Sequence, residues 1–148
     1  MEWSLHLKQL LEAVVLTELL PRSSVHVCVT VLCADGAVRA AVINAAVLAL
    51  AHAGVPLRDT CGCACATVVD GSTACVDPTP GEESRGPEVY VALLPATGKV
   101  PLLLQEGARC GVDALSAVVD AAQAGAMETS AWMKAQLLAH AQARGSSV

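Results

Sequence analysis

Between Leu32 and Asp59 the chain reads LCADGAVRAAVINAAVLALAHAGVPLRD: an apolar strand, a sharp Asp-Gly turn, a helix of small residues and a Gly-Val-Pro loop. This order constrains the fold more than any other stretch. The turn sets Arg39 on the first turn of a helix, where a basic side chain, backbone N–H groups and the helix dipole can converge on a phosphate. Asp35, just ahead of the helix, reads as a turn or N-cap residue. The helix spans Ala37 to Ala53, apolar on nearly every side apart from Asn44 and His52, so it is expected to be covered on more than one side. Gly54 fits its C-terminal stop, and Pro56 prevents resumption.

On either side the pattern is equally regular. Leu7, Leu10, Leu11, Val14, Val15 and Leu19 recur at helical spacing up to Pro21, and Val25, Val27, Val29 and Val31 then alternate with His26, Cys28 and Thr30 as in a strand. Thr60 to Val69 predicts a strand, Asp70-Gly71 a hairpin turn and Ser72 to Val76 the return strand. A polar loop from Pro78 to Pro87 precedes a strand pair, Glu88 to Leu94 and Val100 to Leu104. The end, from about Val112 to Ala143, predicts helix with a break at Gly125. The order α-β-α-β-β-β-β-α predicts an α+β fold, with helices packed against a mostly antiparallel sheet.

Composition sets limits on function. Of the 148 residues 54% are hydrophobic and 16% charged, enough for one domain with a real core, but aromatics make up only 2%, so packing rests on Ala, Val and Leu. A formal charge of −5 and a pI near 5.2 speak against a broad basic surface that binds nucleic acid unaided. Glu12, Glu18, Asp35, Arg39 and His52 interrupt the apolar runs, so no bilayer-spanning stretch is expected, and the acidic residues near the start do not suit a cleaved leader. The expected location is the cytosol or nucleus. None of the seven cysteines forms a Cys-x2-Cys pair, and Cys61, Cys63 and Cys65 alternate along a strand in a straight row that does not close around one ion. They are expected to be reduced core residues.

The block from Leu32 to Asp59, with EAVVLTELLPRSSVHVCVTVL before it and VDG, CVDPTPGEES and VYVALLPATGKV after it, resembles the RNase PH superfamily. That family comprises bacterial RNase PH, the phosphorolytic subunit of the archaeal exosome and the related ring subunits of the eukaryotic RNA exosome. The likeness spans roughly Leu7 to Leu104 and is strongest to the archaeal catalytic subunit and its eukaryotic counterparts. It implies that residues 1–148 form a single RNase PH-like domain, one ribosomal protein S5 domain 2-like half of the duplicated fold, lacking the family's N-terminal portion.

In this family inorganic phosphate attacks the last phosphodiester bond of an RNA 3′ end and releases a nucleoside diphosphate. Cations and N–H donors hold the attacking phosphate, and carboxylates bind a divalent metal or manage a proton. The resemblance implies a phosphate site at Ala37, Val38 and Arg39, where catalytic relatives carry Gly, then Ser or Thr, then Arg. The arginine matches; Val38 offers no hydroxyl, and Ala37 crowds backbone that must approach the anion. It implies a catalytic and metal-binding acidic pair at Asp77 and Glu83, where relatives have two aspartates. The longer glutamate displaces its carboxylate by about an ångström, which can cost on the order of 100-fold in rate. Arg39 and Arg58 are the candidate RNA contacts. From the residues alone, Glu82 and Glu83 equally read as solvated loop charges, and Arg39 as an ordinary ion-paired helix residue.

These departures imply a non-catalytic subunit of the exosome, supporting 3′-to-5′ RNA processing and decay, including rRNA processing and mRNA decay. Its implied partners are other RNase PH-like ring subunits, and single-stranded RNA through the assembled complex, with no membrane and no DNA. Nucleus, nucleolus and cytoplasm are the implied locations. No cofactor is then needed; an active version would use Mg2+ and inorganic phosphate. Two alternatives stand: a phosphorolytic 3′-to-5′ exoribonuclease completed by adjacent subunits, and a dimerising module without an RNA role. Where half of the family fold is lacking, core surface needs a partner, because exposing several hundred Å2 at roughly 25 cal/mol per Å2 costs on the order of 10 kcal/mol.

Overall fold

The computed structural model describes residues 2–69, 73–83 and 86–145. A four-stranded antiparallel sheet of order β2-β1-β3-β4 is built from β1 (Gly62–Val69), β2 (Thr73–Val76), β3 (Pro87–Leu94) and β4 (Lys99–Gly107). Around it lie α1 (Glu2–Val14), α2 (Val38–His52), the short α3 (Pro80–Glu83) and the long α4 (Val112–Gly145). The Asp70-Gly71 turn and Ser72 lie outside the described residues.

Residue parity on β1 and β3 separates the layers. Cys61, Cys63 and Cys65, with Tyr90, Ala92 and Leu94, face α1 and α2; Ala66 and Val68, with Val89 and Val91, face Val118 and Ala122 of α4. The central strands are thus buried on both faces. The three cysteines behave as small apolar side chains, at most 1% exposed, and all are free thiols. Burial, reinforced by the nearby Asp59 charge, pushes the Cys61 thiol up to about 12, and burial raises Cys63 further, so neither is a thiolate nucleophile or ligand at neutral pH.

In α1 the apolar stripe Leu7, Leu10, Leu11 and Val14 turns to the core. The helix ends at Val14 rather than running on to Pro21, because its next residues pair elsewhere. Val15 bridges to Leu57, the Leu16 N–H donates to Pro56 O at 2.9 Å, and the Arg58 N–H donates to Val14 O at 2.8 Å. A 3-10 turn, Thr17–Leu19, follows. The expected strand from Val25 to Val31 does not form. Among the described residues no strand lies beside it, and alternation alone cannot supply ladder hydrogen bonds, so the segment joins no sheet, and Leu32 just after it is 94% exposed.

The expected helix over 37–53 is α2, and it stops as its sequence requires. Gly54 takes φ +77°, its N–H donates to Ala51 O, and the Val55 N–H donates to Leu50 O, the paired bonds of a Schellman end. At the other end the N-cap is Ala37, in a left-handed conformation with no side-chain cap bond, so Asp35 belongs to the turn and does not cap. α2 is anchored through its one central polar residue. Asn44 donates from Nδ2 to Cys63 O and accepts the Cys63 N–H at Oδ1, both at 2.8 Å. β2 pairs with β1 only from Ala66 onward, so Asn44 supplies Cys63 with the hydrogen bonds a neighbouring strand would have given.

The final helix is unbroken at Gly125. That residue serves close packing instead: a Cβ there would lie 2.8 Å from Val76 Cγ1 and 3.1 Å from the Ala64 Cβ. Gly62 does the same for the strand, since a Cβ would stand 2.2 Å from Ala126 O. At about 1.5 Å per residue α4 is roughly twice as long as the strand it crosses, so its C-terminal part overshoots the sheet. There Met133 joins the core on the α1/α2 side, Ser130 donates from Oγ to Thr60 O at 2.6 Å, and Lys134 pairs with Asp59 at 2.9 Å. Asp59 also accepts the Thr60 N–H and the Ala96 N–H, tying the β3–β4 turn to α4. No helix among the described residues is long and apolar enough to cross a membrane.

Asn44→Ala should lower stability by about 1–3 kcal/mol, because both Cys63 backbone groups lose their partner at a half-buried site; denaturant melts compare the two chains. Burial is the largest influence on Asp59 and acts upward, but the Ala96 N–H, the Lys134 ammonium and the Thr60 N–H together hold its carboxyl below the ordinary 3.8. A depressed folded-state pKa stabilises the fold above 3.8, and that contribution is lost as pH falls through the lowered value. Asp59→Asn should therefore cost about 1 kcal/mol near neutral pH, and the gap to the parent chain should close in melts repeated well below the ordinary carboxylate range.

Candidate functional site

The turn before α2 and the turn after β2 meet backbone to backbone. Gly36 has φ +80°, and a Cβ on it would lie 2.2 Å from Pro78 O, so only glycine fits. Ala37 and Asp77 are also left-handed, at φ 45° and 58°. Non-glycine residues in this region carry backbone strain, and here they flank one cavity. The Asp77 N–H donates to Cys65 O at 2.9 Å, which holds the strand end in place.

That cavity, about 480 Å3, lies between the start of α2, β1 and the Asp77-Pro78-Thr79 turn. Asp35, Ala37, Asn44, Asp77, Thr79 and Thr129 contribute to its wall. Of the residues the sequence suggested, it brings together Ala37 and Asp77. Asn44, Thr79 and Thr129 were not anticipated. Spacing could have found the first, since Ala37, Ala40, Ala41 and Asn44 share one helix face; Thr129 comes from α4 and leaves no local signal.

Val38 and Arg39 do not line this cavity. With Val42 and Ile43, one turn further on, they face a separate apolar hollow of about 530 Å3 bounded by Trp3, His6 and Tyr90. The Arg39 guanidinium lies 3.6 Å from the centre of the Trp3 ring and 5.4 Å from that of Tyr90, and it pairs with Glu106 of β4. Tyr90 in turn donates its hydroxyl to Glu88 at 3.0 Å. Of the three residues expected at the phosphate, Ala37 lines one hollow and Val38 and Arg39 the other. A helix turns about 100° per residue, which sends Arg39 round to the α1 and β4 side.

Of the expected acidic pair, Asp77 lines the cavity. Glu82 is not a free loop charge: the Thr79 N–H and hydroxyl both donate to its Oε2 at 2.8 Å, the glutamate half of a capping box at the start of α3. Glu83 closes α3, and its side chain lies outside the described residues. Arg58 pairs with Glu18 at 2.9 Å on the exposed surface, in a different hollow with Asp59 and Lys99, away from Asp77. A Mg2+ ion needs only one or two carboxylates beside water and substrate phosphates, which Asp35 and Asp77 could offer. Among the described residues, however, no three His, Cys, Asp or Glu side chains converge.

The cavity thus combines carboxylates, hydroxyls, an amide and the positive end of α2. Among its described lining residues there is no lysine or arginine.

Comparison with known proteins gives this arrangement its context. Residues 1–56 match the RNase_PH family, described as "3' exoribonuclease family, domain 1". Over 123 residues the chain is 47% identical to the exosome complex component RRP41 of Homo sapiens, covering 82% of this chain and 49% of that protein. It is 39% identical over 101 residues to the exosome complex component Rrp41 of Methanopyrus kandleri, covering 68% of this chain and 42% of that one. The crystal structure of rice (Oryza sativa) Rrp46 superposes with a TM-score of 0.82 at 20% identity, covering 92% of this chain and 64% of that chain, and so shares the fold. The chain spans about half the length of the curated relatives it matches. Its sequence order, its sheet and these matches together make it a member of the RNase PH superfamily.

Proposed function

We propose that this chain acts as a non-catalytic, RNase PH-like subunit of an RNA exosome, supporting 3′-to-5′ RNA processing and degradation, including rRNA processing and mRNA decay. The observation that carries this reading is the composition of the Asp77 cavity. Phosphorolysis requires a dianionic phosphate to sit beside the scissile bond, and here the nearby charges are the carboxylates of Asp35 and Asp77 while Arg39 is engaged by Trp3 and Glu106. Like charges in a partly enclosed cavity repel, so the attacking anion is not held. The subunit then needs neither Mg2+ nor inorganic phosphate.

Assembly with other RNase PH-like ring subunits is the second part of the proposal. Val25, Val29, Val31 and Leu32 remain exposed on a segment without a ladder partner among the described residues, the type of apolar surface that subunit contacts cover. The acidic net charge agrees with single-stranded RNA being engaged by the complex rather than by this chain alone. Nucleus, nucleolus and cytoplasm are the proposed locations, following the eukaryotic relatives.

A second reading is favoured by one observation: Asp77 and the start of α2 do share a cavity, so an arginine reaching in from an adjacent subunit would complete a phosphorolytic 3′-to-5′ exoribonuclease. Affinity purification with mass spectrometry should recover RNase PH-like ring subunits with this chain. Single-stranded RNA, magnesium and phosphate incubated with the chain, alone or in the recovered ring, should release no nucleoside diphosphate through it. Release from the ring that Asp77→Asn abolishes would establish the second reading instead.

A further inference from the structure

Where α4 overshoots the sheet it meets the end of α2, and two imidazoles come together there. His52 is the last residue of α2, His140 lies on α4, and their ring centres are 4.9 Å apart with the planes at 67°. We propose that His52 and His140 form a two-histidine site for a borderline divalent transition-metal ion of the zinc class, which staples the overhanging part of α4 to α2.

The geometry fits that ion. A metal about 2.1 Å from an imidazole nitrogen lies about 3.2 Å from the ring centre, so two rings bound at a near-tetrahedral angle have centres about 5 Å apart. The observed 4.9 Å between ring centres, with the planes at 67°, matches that separation, so turning the rings about their side-chain bonds is the adjustment the pair needs. Imidazole nitrogen is a preferred donor for zinc, nickel and copper, and a poor one for magnesium or calcium.

The surroundings favour a cation as well. His52 sits in the last turn of α2, where the carbonyl end of the helix dipole attracts positive charge. Gln136 stands one turn before His140 and lines the same hollow, of about 330 Å3, so its amide oxygen is available as a further donor or as a partner for bound water. Both rings are exposed, which gives the ion an entry path. No third His, Cys, Asp or Glu converges there among the described residues, so water completes the coordination. The site is remote from the Asp77 cavity in its lining residues and does not rest on the proposed exosome role.

Zn2+ titrated into the reduced 148-residue chain, followed by calorimetry and by the imidazole NMR signals of His52 and His140, tests this. We expect both imidazole signals to shift together with one binding event. That event should weaken by more than about tenfold in His52→Ala, in His140→Ala and, with no further loss, in the double variant. His26→Ala should leave it intact, Mg2+ should not compete, and Zn2+ should raise the unfolding temperature of the parent chain but not that of the variants. Zinc uptake unchanged by both substitutions, as thiol binding alone would give, overturns the proposal. So do imidazole signals that stay in place as zinc is added.

Discussion

The side-chain amide of Asn44 holds the architecture in register. It binds both backbone groups of Cys63 at the point where β2 no longer runs beside β1, so a helix is hydrogen-bonded to a sheet as a strand would be. This contact fixes the rotation of α2 about its own axis. Once that is set, the face carrying Ala37, Ala40 and Ala41 must look toward Asp77, and the face carrying Val38, Arg39 and Val42 must look toward α1 and β4. The small residues of α2 allow the close approach that so short an amide requires.

The charge pattern of the molecule follows from that rotation. An arginine at the start of a helix is well placed for an anion, but on this face it finds the Trp3 ring and the Glu106 carboxylate within reach. An aromatic face and an ion pair together satisfy a guanidinium that is only partly exposed. The cavity across the helix is left with Asp35, Asp77, hydroxyls and the α2 N-terminus. Arg39 can therefore stand at the start of α2 while the cavity across the helix has no lysine or arginine among its described lining residues.

The sheet and its helices were largely legible because periodicity reports burial. The apolar runs from Thr60 to Val69 and from Glu88 to Leu94 foretold strands, and the spacing of Leu7, Leu10, Leu11 and Val14 foretold α1. The failures share a cause. Val25 to Val31 alternates equally well, yet a strand is a relation between two segments and no second segment lies beside it among the described residues. Gly125 reads as a helix breaker, but its lack of a side chain serves contact with Val76 and Ala64. Glu82 reads as a solvated charge, and only the position of Thr79 shows it accepting the N–H and hydroxyl of the residue ahead of α3.

The sequence by itself determined the family, the two hairpin strand pairs and the helices on either side of them, the buried state of Cys61, Cys63 and Cys65, and the end of α2 at Gly54, because each depends on residue type or on neighbours within a turn or two. The tertiary structure alone decided that Arg39 and Asp77 line different hollows, that Asn44 stands in for a strand, and that His52 meets His140. Those outcomes depend on the angle at which a helix is seated and on segments far apart along the chain, and neither quantity is written in local spacing.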